Sequence, residues 1–470
     1  MAQISYKRFH LNPFPCGKDF LVINANTYLI EVPFKMRKTI AMKNYFFGLL
    51  LFLNVSQGTA QNIQVNQDRL SLLIKDLSAF GKNEKGGSDR VAYSSHDIAA
   101  RKFVVEKMKK LGLDVTVDFA GNIIAKKAGS SPVLKPIAFG SHIDEVPNGG
   151  DYDGPVGSMS AIEVVQTLIE SKTMTQHPLE IIIFTNEEGG VVGSRALAGK
   201  LSPEALLTKS SSGLTQAEGV KAVGGDPERI LEVKKAEGDY AAFLELHIEQ
   251  GGNLEREGIQ IGVVEGIVAI EWWQFTFKGF ANHAGTTPMN MRKDPMLPAA
   301  KFILAVNETV KSYEGAQVGT VGKIEAFPGA GNVIPGEVTL NLELRDLSSE
   351  KIWEIYHVLA AKAQEFSDEY GIELSVNHQE VASKPALADP LIQKAIEQSA
   401  TKLGLSTMYL PSGAGHDAQE MAGLAPMGMI FIPSKGGISH SPQEYSSPEN
   451  IANGANVLLQ TILRLDKELP

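Results

Sequence analysis

The sequence predicts an α/β protein built on a mainly parallel β-sheet, with a smaller α+β domain of ferredoxin-like type inserted into the chain. Three observations lead to this prediction. Nearly continuous apolar runs recur along the chain, which is typical of strands buried on both faces. Amphipathic helical patterns separate these runs, as in βαβ units. Before the last run, the pattern changes to strands with alternating apolar residues.

The predicted parallel strands and their covering helices follow from these patterns. The apolar runs are residues 136–140, 179–185, 240–246 and 427–432. The helical patterns are residues 68–80, 96–111, 153–172 and 451–465. Gly112 follows the second helical pattern and predicts its end, because glycine is favoured just past a helix.

The middle of the chain predicts a separate fold with the order β-α-β-β-α-β, the split unit of ferredoxin-like domains. Its elements are predicted at residues 267–278, 295–311, 316–326, 337–345, 348–370 and 371–381. The fourth of these alternates at Val338, Leu340, Leu342 and Leu344, the pattern of a half-buried strand. We therefore expect a discontinuous main domain at residues 62–265 and 380–470, interrupted by an inserted domain at residues 266–379.

Composition excludes several classes of protein. The apolar fraction of 43% and charged fraction of 21% are typical of globular proteins. A net charge of −10 argues against non-specific nucleic-acid binding, which requires a basic surface. Cys16 is the single cysteine, so disulfide frameworks and cysteine-ligated metal clusters are excluded.

The first 60 residues resemble a leader rather than part of the fold. Met42-Lys43-Asn44 precedes an apolar run at residues 45–55 and the small-residue stretch 56–60, which is the order found in signal peptides. Cleavage after Ala60 predicts an exported, periplasmic protein; retention of the segment predicts a cytoplasmic one. The alternative is a buried helix. The run is too short for a stable membrane span, which needs about 20 apolar residues.

Polar residues follow the predicted strands where a fold alone does not require them. In open α/β sheets, binding sites form beyond the carboxyl ends of the strands. The candidate metal ligands there are His142, Asp153, Glu188, His247 and His440. Imidazoles with carboxylates suit Zn²⁺, Mn²⁺ or Co²⁺. Five ligands exceed the three that one catalytic zinc ion uses, so they predict two metal ions that share a carboxylate.

Adjacent glutamates at 187 and 188 support a hydrolytic site. Neighbouring side chains of an extended segment point to opposite sides, so Glu188 can bind metal while Glu187 accepts a proton from water. Asp144, two residues after His142, is a candidate to orient that imidazole. Each signal alone is more often structural, and it is their joint occurrence at successive strand ends that predicts a metal site.

Together the motifs resemble the metal-dependent hydantoinase/carbamoylase amidases. This family contains N-carbamoyl-L-amino-acid hydrolases, β-ureidopropionases and allantoate amidohydrolases, and it is related to the dinuclear-zinc exopeptidases and aminoacylases. The resemblance covers about residues 64–465. The segments that carry it are residues 140–144, 148–154, 246–251, 282–289, 331–336, 412–418, 433–434 and 439–440.

The resemblance implies a fold and a metal centre. The main domain is expected to be catalytic, and the inserted domain to serve dimerisation and act as a lid. One metal ion is expected to bind His142 and His247, and the other Glu188 and His440. Asp153 is expected to bridge them. The implied cofactors are two divalent ions per subunit, most simply Zn²⁺, with Mn²⁺, Co²⁺ or Ni²⁺ as alternatives.

The resemblance also implies roles in catalysis. Glu187 is expected to be the general base, and His283 to stabilise the oxyanion of the partner subunit's site in a homodimer. Asn332 and Arg345 are expected to hold a substrate carboxylate. The other implied pocket residues are Gln250, Gly413, Ala414 and His416. For His416, substrate contact and anchoring of its own loop are equally favoured.

One departure from the family pattern concerns substrate identity. Glu188 is followed almost directly by Gly193-Ser194-Arg195, about five residues earlier than usual in the family. The expected reaction is hydrolysis of an N-carbamoyl-L-amino acid or related ureido acid to an amino acid, CO₂ and ammonia. The alternatives are an allantoate amidohydrolase, a dipeptidase or aminoacylase, and a non-catalytic dimeric binding protein. The last requires the loss of a ligand or of the base, and neither is lost.

Overall fold

A nine-stranded central sheet organises the part of the chain that the structure describes. The computed structural model describes residues 63–379 and 384–470, which belong to one compact unit spanning Asn62–Pro470. The predicted leader and its cleavage site lie outside the described residues.

Fifteen strands and eleven α-helices are found within the described ranges. The strands are β1 (Asp114–Val117), β2 (Ile123–Lys127), β3 (Ile137–Ser141), β4 (Leu179–Ile183), β5 (Ala242–Ile248), β6 (Ile261–Ile267), β7 (Ala269–Lys278), β8 (Asn282–His283), β9 (Val318–Phe327), β10 (Val333–Ile334), β11 (Glu337–Asp346), β12 (Glu373–Gln379), β13 (Ala386–Leu387), β14 (Thr407–Ser412) and β15 (Met427–Ile432). The helices are α1 (Gln67–Ser78), α2 (Ser95–Lys110), α3 (Pro155–Glu170), α4 (Val192–Leu197), α5 (Gln216–Ala222), α6 (Asn253–Glu257), α7 (Met296–Ser312), α8 (Ser349–Tyr370), α9 (Pro390–Lys402), α10 (Asp417–Met421) and α11 (Pro448–Glu468).

The four predicted apolar strands form the parallel centre of the large sheet. The strand order is β1-β2-β4-β3-β5-β15-β6-β13, and β14 pairs with β6. Strands β4, β3, β5 and β15 are adjacent and mutually parallel. Antiparallel strands flank them on both sides: β2 pairs with β4, and β6 pairs with β15. The mainly parallel α/β fold is therefore confirmed.

The alternation of side chains explains why these strands are apolar throughout. In β15, Ile430 and Ile432 pack into the core beneath α3 and α11, whereas Met427, Met429 and Phe431 pack into a second core on the opposite face. Successive side chains of a strand point to opposite faces. Because helices cover both faces, both sets of side chains must be apolar.

The second sheet has the predicted split topology. Its order is β12-β7-β11-β9, and every neighbouring pair is antiparallel. Helices α7 and α8 pack on one face over Val338, Leu340, Leu342 and Leu344, the alternating residues of β11. This strand order is that of a ferredoxin-like sheet, so the predicted arrangement is confirmed. The domain boundaries at residues 265/266 and 379/380 stay a prediction.

In the described ranges, no helix combines the length and apolarity needed to cross a bilayer.

Candidate active site

The polar residues that follow the four parallel strands meet at one edge of the large sheet. His142 directly follows β3, Glu187 and Glu188 follow β4, and His440 lies in the loop after β15. His247 was expected just beyond its strand, but it is the penultimate residue of β5. Since these strands are adjacent and parallel, their carboxyl ends lie side by side.

Asp153 lies between the three histidines of this cluster and contacts each of them. Its Oδ1 lies 3.1 Å from Nε2 of His247 and 3.8 Å from Nε2 of His142. Its Oδ2 lies 3.4 Å from Nε2 of His440. The next residue, Gly154, has φ = 77°, and a Cβ placed there would lie only 2.4 Å from the His142 ring. A glycine is therefore required for the chain to pass this imidazole.

Two sets of ligand-type atoms share Asp153. His142, Asp153 and His247 form one set, and Asp153, Glu188 and His440 form the other; within each set the atoms lie within 4.8 Å of one another. Nε2 of His142 and Oε1 of Glu188 are buried and lack a hydrogen-bond partner among the described residues. Such atoms cost free energy unless something else satisfies them. A divalent cation in each set fits both the donor chemistry and these orphaned atoms.

The electrostatics of the cluster are those of a strongly coupled acid–base array. Burial raises the pKa of Asp153, but the imidazoles of His247, His440 and His142 lower it more, so that it lies well below its usual value. Burial lowers the pKa of His247, but Asp153 and Glu245 raise it more, to about 9. The carboxylates of Asp153 and Glu188, each 3.4 Å from Nε2 of His440, raise the pKa of His440 to about 10. The carboxylate of Asp153 is thus held ionised beside these imidazoles.

Glu187 lies next to the first set. Its Oε2 is 3.7 Å from Nε2 of His142. Burial raises its pKa well above the usual value, and the neighbouring carboxylate of Glu188 raises it further. A carboxylate with a raised pKa is a stronger proton acceptor near neutral pH.

Asp144 acts on both His142 and the glutamate pair. Its backbone carbonyl lies 3.0 Å from Nδ1 of His142, while its carboxylate Oδ1 is 3.7 Å from that nitrogen. The two carboxylate oxygens accept hydrogen bonds from the backbone N–H groups of Glu187 (3.3 Å) and Glu188 (3.2 Å). The imidazole is therefore oriented mainly by the Asp144 main chain, and the side chain holds the segment that follows β4.

His416 is buried in the loop before α10. Its Nε2 lies 2.9 Å from Oγ of Ser412, and its ring contacts the His247 ring edge-on at a centroid distance of 4.5 Å. Burial lowers its pKa well below the usual value. Ser412 also bonds the backbone of Ala414. Of the two roles expected for His416, these contacts support anchoring of the loop.

His416 also belongs to a third set of ligand-type atoms, with Glu245 and His247. The Glu245 carboxylate already accepts hydrogen bonds from Oγ of Ser141 (2.6 Å) and the backbone N–H of Ala418 (3.0 Å). With its oxygens engaged in this way, Glu245 supports the β5 edge of the cluster rather than offering a third metal site.

The predicted pocket residues fall into three places. Gln250 donates from Nε2 to Oδ2 of Asp153 at 2.6 Å, so it borders the cluster. Arg345 donates from Nη1 to the carbonyl of Gly413 at 2.6 Å and from Nε to Glu343 at 2.8 Å, which joins the second sheet to the 413–416 loop. His283 is exposed on the β8–β10 ribbon, where it pairs with Val333.

Asn332 lies beside His283 on the same ribbon. Its carbonyl accepts a hydrogen bond from the backbone N–H of Ala284 at 3.0 Å. The ribbon thus holds the two residues close together, as expected if they act on one substrate, although His283 faces solvent within the single chain.

The short segment after Glu188 is a tight turn that leads into α4. The backbone N–H groups of Gly190 and Val191 both donate to the carbonyl of Glu187. Val191 has φ = 48°, a left-handed conformation that is strained for a β-branched residue. Asn186, Gln250 and His440 also have positive φ. Strained backbone is typical of functional sites.

Sequence reasoning missed two residues that hold the cluster together. Oγ of Ser439 lies 2.6 Å from Oδ2 of Asp153, and Glu444 receives backbone hydrogen bonds from both sides of the cluster. Ser439 lies in one of the segments that carry the family resemblance, which implies no role for it. Glu444 lies four residues after the candidate ligand His440. In a loop this spacing does not predict that the two residues are in contact, so only the fold identifies Glu444.

Comparisons with known proteins agree with the geometry. Residues 138–464 match the model of peptidase family M20/M25/M40. The chain is 40% identical over 407 residues to the N-carbamoyl-L-amino acid amidohydrolase of Geobacillus stearothermophilus, covering 85% of this chain and 99% of that protein. It is 40% identical over 418 residues to the ureidoglycolate hydrolase of Arabidopsis thaliana, covering 86% and 88% respectively.

The fold is also similar to that of a solved amidase structure. The hydantoinase/carbamoylase family amidase of Burkholderia multivorans is 33% identical, with a TM-score of 0.81 over 87% of this chain and 100% of its own. The family match covers well over half of this chain, and the relatives align over nearly their whole length. The chain belongs to peptidase family M20/M25/M40 and, within it, to the hydantoinase/carbamoylase amidases.

Proposed function

We propose that this protein is a metal-dependent amidohydrolase that cleaves the carbamoyl C–N bond of N-carbamoyl-L-amino acids or related ureido acids. One observation carries the proposal. Asp153 is shared by two ligand sets, and the raised-pKa carboxylate of Glu187 lies beside the first of them. This arrangement suits hydrolysis of an unactivated amide-type bond, which needs both an electrophilic centre and a base.

The ligand sets are proposed to hold two divalent ions, most simply Zn²⁺. His142 and His247 would hold one, Glu188 and His440 the other, with Asp153 between them. When bound, the ions supply Lewis acidity and lower the pKa of a nearby water.

Side chains of the protein carry out proton transfer and substrate binding. Glu187 accepts a proton from the attacking water as the C–O bond forms and the carbonyl becomes a tetrahedral oxyanion. Glu187 then returns the proton to the leaving nitrogen, and the C–N bond breaks as the carbonyl re-forms. The products are the free amino acid and carbamic acid, which decomposes to CO₂ and ammonia. Asn332 and Arg345 hold the substrate carboxylate, and Gln250, Gly413, Ala414 and the His416 loop complete the pocket.

His283 is proposed to stabilise the oxyanion from the partner subunit of a homodimer. Its exposure within the single chain supports this, because a residue of the same site is expected to be enclosed. Edge strand β9 exposes Val318, Ile324 and Phe327, and Met289 and Met291 beside the His283 ribbon are also exposed. Exposed edge strands and apolar patches are typical of surfaces that pair with another chain.

A substrate panel tests the proposal. Release of ammonia and amino acid would be measured with N-carbamoyl-L-amino acids, ureidoglycolate, allantoate and N-acyl amino acids, using the Zn²⁺-loaded protein. Highest kcat/KM on N-carbamoyl-L-amino acids is expected. Ureidoglycolate hydrolysis is the second candidate, because the Arabidopsis thaliana ureidoglycolate hydrolase is equally identical to this chain. Turnover of N-acyl amino acids alone would contradict both.

A further inference from the structure

The carboxylate of Glu444 accepts three backbone hydrogen bonds and also contacts a serine hydroxyl. Oε1 accepts from the backbone N–H groups of Tyr152 (2.9 Å) and Asp153 (3.0 Å). Oε2 accepts from the backbone N–H of His440 (3.2 Å) and lies 2.9 Å from Oγ of Ser439, whose single proton it shares with Asp153. The residue is only 5% exposed, so these bonds are not replaced by water.

These donors belong to two segments that are distant in sequence. Tyr152 and Asp153 lie in the loop between β3 and α3, whereas Ser439 and His440 lie in the loop after β15. Asp153 is the residue shared by both ligand sets, and His440 belongs to the second set alone. One side chain therefore fixes the main chain of both.

The backbone of His440 needs such support. It has φ = 54°, in the left-handed region that costs free energy for residues other than glycine. Its N–H is the group that Oε2 of Glu444 accepts. Loss of that acceptor would leave a strained residue free to relax, and the imidazole would move with it.

Gly150 makes room for the carboxylate. A Cβ at this position would lie 2.2 Å from Oε1, 2.4 Å from Cδ and 2.6 Å from Cβ of Glu444. Gly150 is not among the residues with positive φ, so its requirement for glycine comes from Glu444 rather than from its own conformation. Substituting it displaces Glu444 without deleting a polar group.

We infer that Glu444 is a positioning residue for the metal centre, which sets the distance between Asp153 and His440 and so controls affinity at the second ligand set. The inference rests on the proposed dinuclear function. It assigns Glu444 no contact with substrate or metal. Because the first set depends on Glu444 only through Asp153, the effect should be unequal between the two sets.

Zn²⁺ affinity of the full-length protein tests this inference. Glu444→Gln keeps the shape of the side chain but has only one accepting oxygen, so one pair of donors meets an NH₂ group. Gly150→Ala displaces the intact carboxylate. Glu449→Gln, an exposed glutamate in the first turn of α11, is the matched control. Chelator competition gives the two Zn²⁺ affinities, and thermal unfolding of the metal-free proteins reports on the fold.

We expect both Glu444→Gln and Gly150→Ala to lower the affinity for one of the two Zn²⁺ ions about 10–100-fold. This is the usual effect of removing a residue that orients a metal ligand. The other ion should be held within a few-fold of wild type, and Glu449→Gln should change neither. Wild-type affinity for both ions in Glu444→Gln would overturn the inference. So would equal weakening of both ions together with a lower Tm. If wild-type protein binds fewer than two Zn²⁺ ions, the proposed dinuclear centre itself is wrong.

Discussion

Oδ1 of Asp153 lies 3.1 Å from Nε2 of His247, and neither side chain is more than 3% exposed. The pair predicts how metal binding depends on pH. In the metal-free protein the pKa of His247 is about 9 and that of His440 about 10, so both imidazoles are protonated at pH 7.5. Metal binding requires the neutral imidazoles, so it should release about two protons per subunit at this pH.

Calorimetric titration of chelator-treated protein with Zn²⁺ in buffers of different ionisation enthalpy measures this release. The sign is fixed by the raised pKa values: proton release should decline and affinity should level off as the pH rises through 9–10. Activity should disappear on chelation and return with Zn²⁺. Turnover that survives complete removal of metal would contradict the dinuclear proposal.

Glu187→Gln should abolish proton transfer while leaving both ligand sets intact. We expect kcat to fall about 10²–10⁴-fold, the usual contribution of general acid–base catalysis. Metal content, measured by mass spectrometry of the purified variant, should stay at the wild-type level. Near-wild-type turnover with full metal content would show that another group is the base.

Mixing of two inactive variants tests whether His283 acts across a dimer. A Glu187→Gln subunit still offers His283, and a His283→Ala subunit still offers Glu187. A heterodimer therefore has one complete site if His283 acts on the partner. Refolding the variants together at equal amounts should restore roughly a quarter of wild-type activity, because half of the dimers are mixed and each has one of its two sites complete. Recovery of no activity would place His283 in its own subunit's site or in neither.

The buried ion pair of Arg90 and Glu145 should dominate local stability beneath the cluster. Nη2 of Arg90 lies 3.0 Å from Oε1 of Glu145, with exposures of 0% and 1%, and Nε of Arg90 donates to the carbonyl of Ile143. Arg90→Met should cost about 3–5 kcal/mol, because it leaves Glu145 buried without a counter-charge. Urea unfolding of the metal-free protein measures the loss.

Two further variants separate charge from packing at this position. Adding Glu145→Gln to Arg90→Met should recover part of the loss, because it removes the unpaired charge. Lys82→Met breaks an exposed pair with Asp151 at 2.8 Å and should cost less than about 1 kcal/mol. A similar cost for Arg90→Met and Lys82→Met would refute the role given to burial.

Cleavage after Ala60 would give a mature protein that begins at Gln61 and lacks Cys16. Mass spectrometry of the protein recovered from a periplasmic extract, after expression of the full sequence in a Gram-negative host, measures the new N-terminus. A variant with Leu50 and Leu51 changed to lysine disrupts the apolar run and should block processing. An uncleaved, fully active wild-type protein in the cytoplasmic fraction would contradict the prediction of export.

Much of the fold could be predicted from local patterns. The apolar run at residues 427–432 coincides with β15, and the alternation of Val338 to Leu344 marks the buried face of β11. The antiparallel strands β2 and β6 that flank the parallel centre were not predicted, because glycine and glutamate interrupt the apolar residues of β6 and only three apolar residues precede the lysines of β2. Their pairing depends on partners far away in sequence.

The sequence by itself determined that His, Asp and Glu side chains follow successive buried strands, and their joint occurrence predicted a metal site, because buried charged groups are paired or bind metal. Only the tertiary structure decided that β4, β3, β5 and β15 are neighbours, which brings Asp153 between His247 and His440. It also decided that Asp144 holds the Glu187–Glu188 main chain and that Glu444 joins two distant loops. Such contacts join segments through space, and no local pattern of side chains records which segments will meet.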